Sequence, residues 1–219
     1  MIPAGAIDCD IHPAVPSVRD LLPHLEPYWR EHVLRRGLER DNFETSAYPP
    51  AAPINARPDW KPPAGVPGGS LPAMQAHLLD PLRPSYAICN VIHGAQMIFS
   101  EDLSLALCRG INNWLAAEWL DRDDRLRASI VVPPHSPDLA AEEIERLAGD
   151  RRFVQVLLLA MAEIPLGRRL MWPLYRAAER HGLPIGIHAG STYRHPLSAG
   201  GWGSTYLEDY VSFAQGHAA

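Results

Sequence analysis

The sequence predicts an α/β fold, a parallel sheet covered by helices, from three observations. Five short apolar runs, near residues 6, 86, 127, 154 and 185, recur between longer segments with helical spacing. The runs are apolar on both faces, as strands covered by helices on either side must be. The composition, 219 residues with 47% apolar and 21% charged, is that of an ordinary globular chain with enough material for a sizeable core.

The elements follow in order. Residues 4–11 form an apolar run broken by aspartates, a strand ending near Asp10. Ser17 and Asp20 have the spacing of a capping box, which starts a helix. A second helical piece runs through Tyr28 to Val33 and ends at Gly37, where only glycine turns left-handed without penalty. Of the chain's 22 prolines, many crowd between Tyr48 and Pro72. Proline lacks the amide hydrogen that helices and central strands need, so residues 48–72 read as one irregular insertion in a single domain over 1–219.

Beyond it the alternation becomes regular. Leu71 to Leu79 is helical, and Ser85 to Ile92 is a strand. Ser100 caps a helix to about Leu120, with Leu103, Leu107, Ile111 and Trp114 on one face. Leu126 to Val132 is a strand, and Ser136-Pro137 opens a helix to Ala148. Phe153 to Leu159 is a strand, Arg168 to His181 a helix stopped by Gly182, Pro184 to His188 a strand, and Ser204 to Gln215 a last helix. Such units permit an open doubly wound sheet or a closed (β/α)₈ barrel. No glycine-rich phosphate loop follows any strand.

Charge and targeting signals narrow the function classes. A net charge of -5 without a basic run disfavours nucleic acid as a partner. No apolar stretch approaches membrane-spanning length, and the N-terminus lacks the pattern of a secretory leader, so a cytoplasmic location is expected. Cys9, Cys89 and Cys108 are scattered and odd in number, and read as buried free thiols.

Two motifs carry chemistry. In Ile7-Asp8-Cys9-Asp10-Ile11-His12-Pro13, Asp10 and His12 stand two apart at a strand end and therefore project to the same side. A carboxylate and an imidazole facing one point are half of a metal site. In Pro184-Ile185-Gly186-Ile187-His188-Ala189-Gly190, an apolar strand ends in an imidazole followed by small residues that leave space before the ring. Each motif alone also fits a bland reading, a polar strand terminus or a core histidine. Both, however, sit at C-terminal strand ends, where parallel α/β folds gather their sites.

Together, IDCDIHP, FVQVLLL, the helix WPLYRAAERHGLP and the strand IGIHAG resemble the amidohydrolase-related family. Within it they resemble the branch that includes aminocarboxymuconate-semialdehyde decarboxylase and resorcylate decarboxylases. The resemblance implies a (β/α)₈ TIM-barrel fold and one divalent metal, zinc ahead of manganese. It places ligands at Asp10, His12 and His188. It further implies a hydrolase or a non-oxidative decarboxylase (carboxy-lyase) acting on a small carboxylate or an aromatic or cyclic substrate. The family's further histidine, and its aspartate at the end of the eighth strand, fall beyond Ala219. The expectation is therefore a barrel that stops after about five βα units, with no catalytic residue assigned.

His93, His135 and Arg194 are candidate substrate contacts: the two histidines follow the second and third strands, and Arg194 follows the fifth. His24, His32 and His77 read as surface residues, and Glu142, Glu143 and Glu145 as an exposed helix face. Trp114, Trp119 and Trp172 read as helix-to-sheet packing. Open strand edges would favour a homo-oligomer. Two other readings fit the same residues: a catalytically incomplete barrel fragment, inactive alone or needing a partner chain, and a metal-independent small-molecule binding module.

Overall fold

The computed structural model describes residues 5–40, 58–63, 65–162, 164–191 and 203–218. Strand β1 (Ile7–Ile11) leads into α1 (Val18–Leu21) and α2 (Pro27–Arg36). Helix α3 (Leu71–Met74), a wide π turn (Gln75–Leu79) and α4 (Asp80–Leu82) form one continuous segment before β2 (Tyr86–Cys89). Then come α5 (Glu101–Leu115), β3 (Leu126–Val131), α6 (Pro137–Leu147) and β4 (Phe153–Met161). The chain closes with α7 (Trp172–Arg180), β5 (Ile185–Ser191) and α8 (Tyr206–Ala218). All five expected strands are present.

The strands form one parallel sheet in the order β1-β2-β3-β4-β5. Neighbouring strands lie about 4.8 Å apart, so in a flat sheet β1 and β5 would be separated by roughly 19 Å. Instead the Asp10 carboxylate on β1 lies 3.2 Å from the His188 ring on β5. The two side chains are too short to bridge a flat sheet. The sheet is therefore curled into a half-barrel, with its outer strands opposite each other across the concave face.

The main core lies on the convex side. Ile11, Ala87, Cys89, Ile130, Val156 and Leu158 of the strands pack with Leu107, Ile111, Ile144, Leu174 and Ala177 of α5, α6 and α7. Leu157, Leu159 and Met161 are buried as well, and by strand alternation they face the concave side. The helix stops behave as expected: Gly37 and Gly182 adopt left-handed φ values of 71° and 63°.

Several local expectations are corrected. Ser17 does not cap α1 through its side chain; its hydroxyl donates to the Asp20 carboxylate at 2.6 Å instead. Glu143 is fully buried rather than part of an exposed face, because Asn112, Arg109 and Arg146 all donate to it. Trp172 is exposed, with Arg169 and Arg176 against its ring, while Trp114 and Trp119 are buried. Cys9 is exposed, whereas Cys89 and Cys108 are buried thiols. Cys9 points to the face of the edge strand β1 opposite Asp10. His24, His32 and His77 are each half-buried, and the His77 ring meets Trp60 edge to face.

The end of the proline-rich segment packs against the first strand. Ala14 donates its backbone N–H to the Gly68 carbonyl at 3.0 Å. Gly68 has φ +77°, and a Cβ there would stand 2.3 Å from the His12 carbonyl oxygen. Only glycine permits that approach.

Candidate metal centre

The half-barrel brings Asp10, His12 and His188 together. One ligand atom from each lies within 4.8 Å of the other two. The Asp10 Oδ1 is 3.4 Å from His12 Nε2 and 3.2 Å from His188 Nε2. The two imidazoles meet edge to face, with ring centres 4.8 Å apart.

Backbone carbonyls fix which ring nitrogen faces the carboxylate. His12 Nδ1 lies 3.0 Å from the Asn90 carbonyl oxygen, and His188 Nδ1 contacts that of Ala189. A carbonyl only accepts, so each Nδ1 carries the hydrogen. In the neutral rings both Nε2 lone pairs then point at an anionic carboxylate. Three groups that can each offer an electron pair to one point are a fit for a cation, which takes the place of any proton between them. The residues could hold a divalent metal. Asp10 and His12 are open to solvent, while the His188 side chain is largely covered.

Burial acts most strongly on the Asp10 carboxyl and raises its pKa. A hydrogen bond from Asn90, and the positive charge of the neighbouring His12 and His188 rings when they are protonated, together outweigh burial, so the carboxyl lies below its ordinary range. Asp10 is thus an anion at neutral pH, the form a metal requires.

Sequence reasoning missed the polar residues behind Asp10. Asn90, just past β2, donates from Nδ2 to Asp10 Oδ1 at 2.8 Å and to the Cys9 carbonyl at 3.1 Å. Ser129 of β3 donates to Asn90 Oδ1 at 2.5 Å, and Gln155 of β4 donates to the Ser129 hydroxyl at 2.8 Å. The signal was present: each is a polar residue inside an apolar strand run, in SYAICN, RASIVV and FVQVLLL. Such a group needs a partner when buried.

His93 and His135 lie in the loops after β2 and β3, at the same end of the sheet. His93 Nδ1 accepts the Ala95 backbone N–H at 3.0 Å, and burial pushes its pKa down to about 4. His135 is half-buried just before α6. Arg194 lies outside the described residues.

A family model described as amidohydrolase matches residues 7–214, nearly the whole chain. The chain belongs to the amidohydrolase family. Solved structures with the same fold include a 2,6-dihydroxybenzoate decarboxylase from Rhizobium, at 21% identity and TM-score 0.58, with 100% of this chain and 59% of that one covered. A 2,6-dihydroxybenzoate decarboxylase complexed with 2,6-dihydroxybenzoate matches at 19% identity and TM-score 0.54, covering 86% and 51%. The 5-carboxyvanillate decarboxylase of Novosphingobium aromaticivorans, complexed with manganese and 4-hydroxy-3-methoxy-5-nitrobenzoic acid, matches at 19% and 0.51, covering 84% and 50%. At these identities the likeness is one of fold. This amidohydrolase chain spans between half and three-fifths of the length of these structures. No curated protein sequence matches it. No helix among its described residues is long and apolar enough to cross a membrane.

Proposed function

We propose that this chain carries the metal centre of a non-oxidative carboxy-lyase acting on a small aromatic or cyclic carboxylate, with a hydrolase of the same family as the alternative. The observation that carries the reading is the convergence of two Nε2 lone pairs and one carboxylate across the curled sheet. Asp10, His12 and His188 are the proposed ligands. Two imidazoles and one carboxylate suit Zn²⁺ ahead of Mn²⁺, although the carboxyvanillate decarboxylase structure holds manganese. A bound metal supplies Lewis acidity, which orients a substrate carboxylate and stabilises developing negative charge.

The chain's own residues prepare that site. Asp10 is held ionised, and His12 and His188 are each held in one tautomer by a backbone carbonyl. Leu157 and Leu159 back the concave face with buried apolar side chains. His93, His135 and Arg194 are the proposed substrate contacts. A small-molecule substrate, a cytoplasmic location and a homo-oligomer complete the reading. Self-association is supported by exposed Ile7 and Ile187 on the two edge strands.

Metal analysis and carbon dioxide release test the proposal together. Purified protein is expected to hold close to one equivalent of zinc or manganese and to release carbon dioxide from a dihydroxybenzoate in a chelator-sensitive way. The His12→Ala, His188→Ala double variant is expected to lose the metal. Unchanged metal content in that variant would sink the proposal. Metal binding without turnover would favour a chain that needs a partner to complete its site.

A further inference from the structure

The strongest unassigned feature is the line of polar side chains behind Asp10. It crosses the concave face strand by strand. Gln155 Nε2 on β4 donates to Ser129 Oγ on β3, which donates to Asn90 Oδ1, and Asn90 Nδ2 donates to Asp10 Oδ1 on β1. Gln155 Nε2 also lies 3.4 Å from Asn90 Oδ1. The fifth strand takes part by leaving room: a Cβ at Gly186 would stand 2.9 Å from Gln155 Nε2 and 3.1 Å from its Cδ.

Asn90 is the node of this line. It is 4% exposed, and all its hydrogen-bonding groups are engaged. Its backbone N–H donates to the Ile11 carbonyl at 2.8 Å, and its backbone carbonyl accepts from His12 Nδ1. Its side-chain N–H groups reach Cys9 and Asp10, and its side-chain oxygen is filled from Ser129 and Gln155. One residue therefore touches both members of the Asp10–His12 pair through different groups. The Cys9 carbonyl and the Asp10 carboxylate only accept, so they decide the amide's orientation. A flipped Asn90 would present its oxygen to the Cys9 carbonyl and the Asp10 carboxylate, and would turn its N–H group toward the Gln155 N–H. Both changes are unfavourable, so the line locks the amide with its N–H toward Asp10.

We infer that Asn90, held by Ser129 and Gln155 over Gly186, is a positioning residue that fixes the Asp10 carboxylate and the His12 tautomer for metal binding. The inference rests on the metal-centre reading above. Groups one shell behind metal ligands typically change metal affinity about 10- to 100-fold when removed.

The test is titration with Mn²⁺, read by the loss of the free-ion paramagnetic resonance signal, on wild type, Asp10→Ala, Asn90→Ala, Ser129→Ala and Gly186→Ala. Asp10→Ala is expected to abolish binding. Asn90→Ala and Ser129→Ala are expected to weaken it about 10- to 100-fold, and Gly186→Ala to weaken it in the same direction by displacing Gln155. A Ser129→Thr variant, which keeps the hydroxyl, is expected to retain more affinity than Ser129→Ala. Thermal melts of the metal-free proteins separate this from a purely structural role, which would move the melting temperature without moving affinity. If Asn90→Ala does not fold, Ser129→Ala decides. Loss of binding in Asp10→Ala with wild-type affinity in Ser129→Ala and Asn90→Ala overturns the inference alone. Wild-type affinity in Asp10→Ala overturns the metal reading and the inference with it.

Discussion

Glu143 offers the sharpest test of how the half-barrel is held together. It sits fully buried on α6, yet it accepts from Asn112 Nδ2 at 2.7 Å, Arg109 Nε at 3.2 Å, and Arg146 Nε and Nη2 both at 2.7 Å. Asn112 in turn clamps the N–H and carbonyl of Val131 at the end of β3. The cluster thereby ties α5 and α6 to the strand whose Ser129 lies behind the metal centre. Arg146 supplies two of these four bonds, both short and charge-assisted, and each such bond contributes about 1.5–3 kcal/mol. The Arg146 side chain is 36% exposed, so water reaching the gap and solvent screening reduce the sum. Arg146→Ala is expected to destabilise the protein by about 2–4 kcal/mol, because it strands a buried carboxylate with fewer donors. Arg109→Ala removes one longer bond and is expected to cost about 1–2 kcal/mol. Urea unfolding followed by circular dichroism measures both. A loss below about 0.5 kcal/mol for Arg146→Ala, the range of ordinary surface substitutions, would refute the reasoning. So would a larger loss for Arg109→Ala than for Arg146→Ala.

Three further outcomes are expected. Burial holds His93 to a pKa of about 4 against an ordinary 6.5, so the unfolded chain takes up a proton in that window while the folded chain does not. Stability is therefore full above pH 6.5 and falls as pH drops toward 4, by up to about 3 kcal/mol. Urea midpoints between neutral and mildly acidic pH should fall less steeply in His93→Gln; equal slopes would exclude the assignment. Gly68→Ala forces a left-handed alanine and a clash with the His12 carbonyl, and is expected to cost about 1–3 kcal/mol and weaken metal binding. Calorimetric melting and Mn²⁺ titration would check it. Sedimentation velocity should show wild-type self-association that Ile187→Lys reduces, since Ile187 is 60% exposed on an edge strand; a wild-type monomer at high concentration would contradict this.

Local signals made much of this molecule legible. Strand runs apolar on both faces could only be parallel strands under helices, and the glycines at 37 and 182 stop helices where left-handed turns are needed. Asp10 and His12 share a face because strand side chains alternate, which is a property of two residues and needs no tertiary structure. Their meeting with His188 depends on the curl of a sheet across β2, β3 and β4, and on its own neither motif specifies that curl. The same limit explains the misread residues. Glu143 has the local pattern of a solvated face, and the placement of Asn112 and Arg109 from α5 beside it, added to Arg146 of its own helix, makes burial tolerable. Asn90, Ser129 and Gln155 are far apart in sequence and become one line only where adjacent strands pair. The sequence by itself determined which residue types stand at the strand ends. Tertiary structure decided which of them meet, because hydrogen bonds and metal ligation act over a few ångströms while the contributing residues are separated by up to 178 positions.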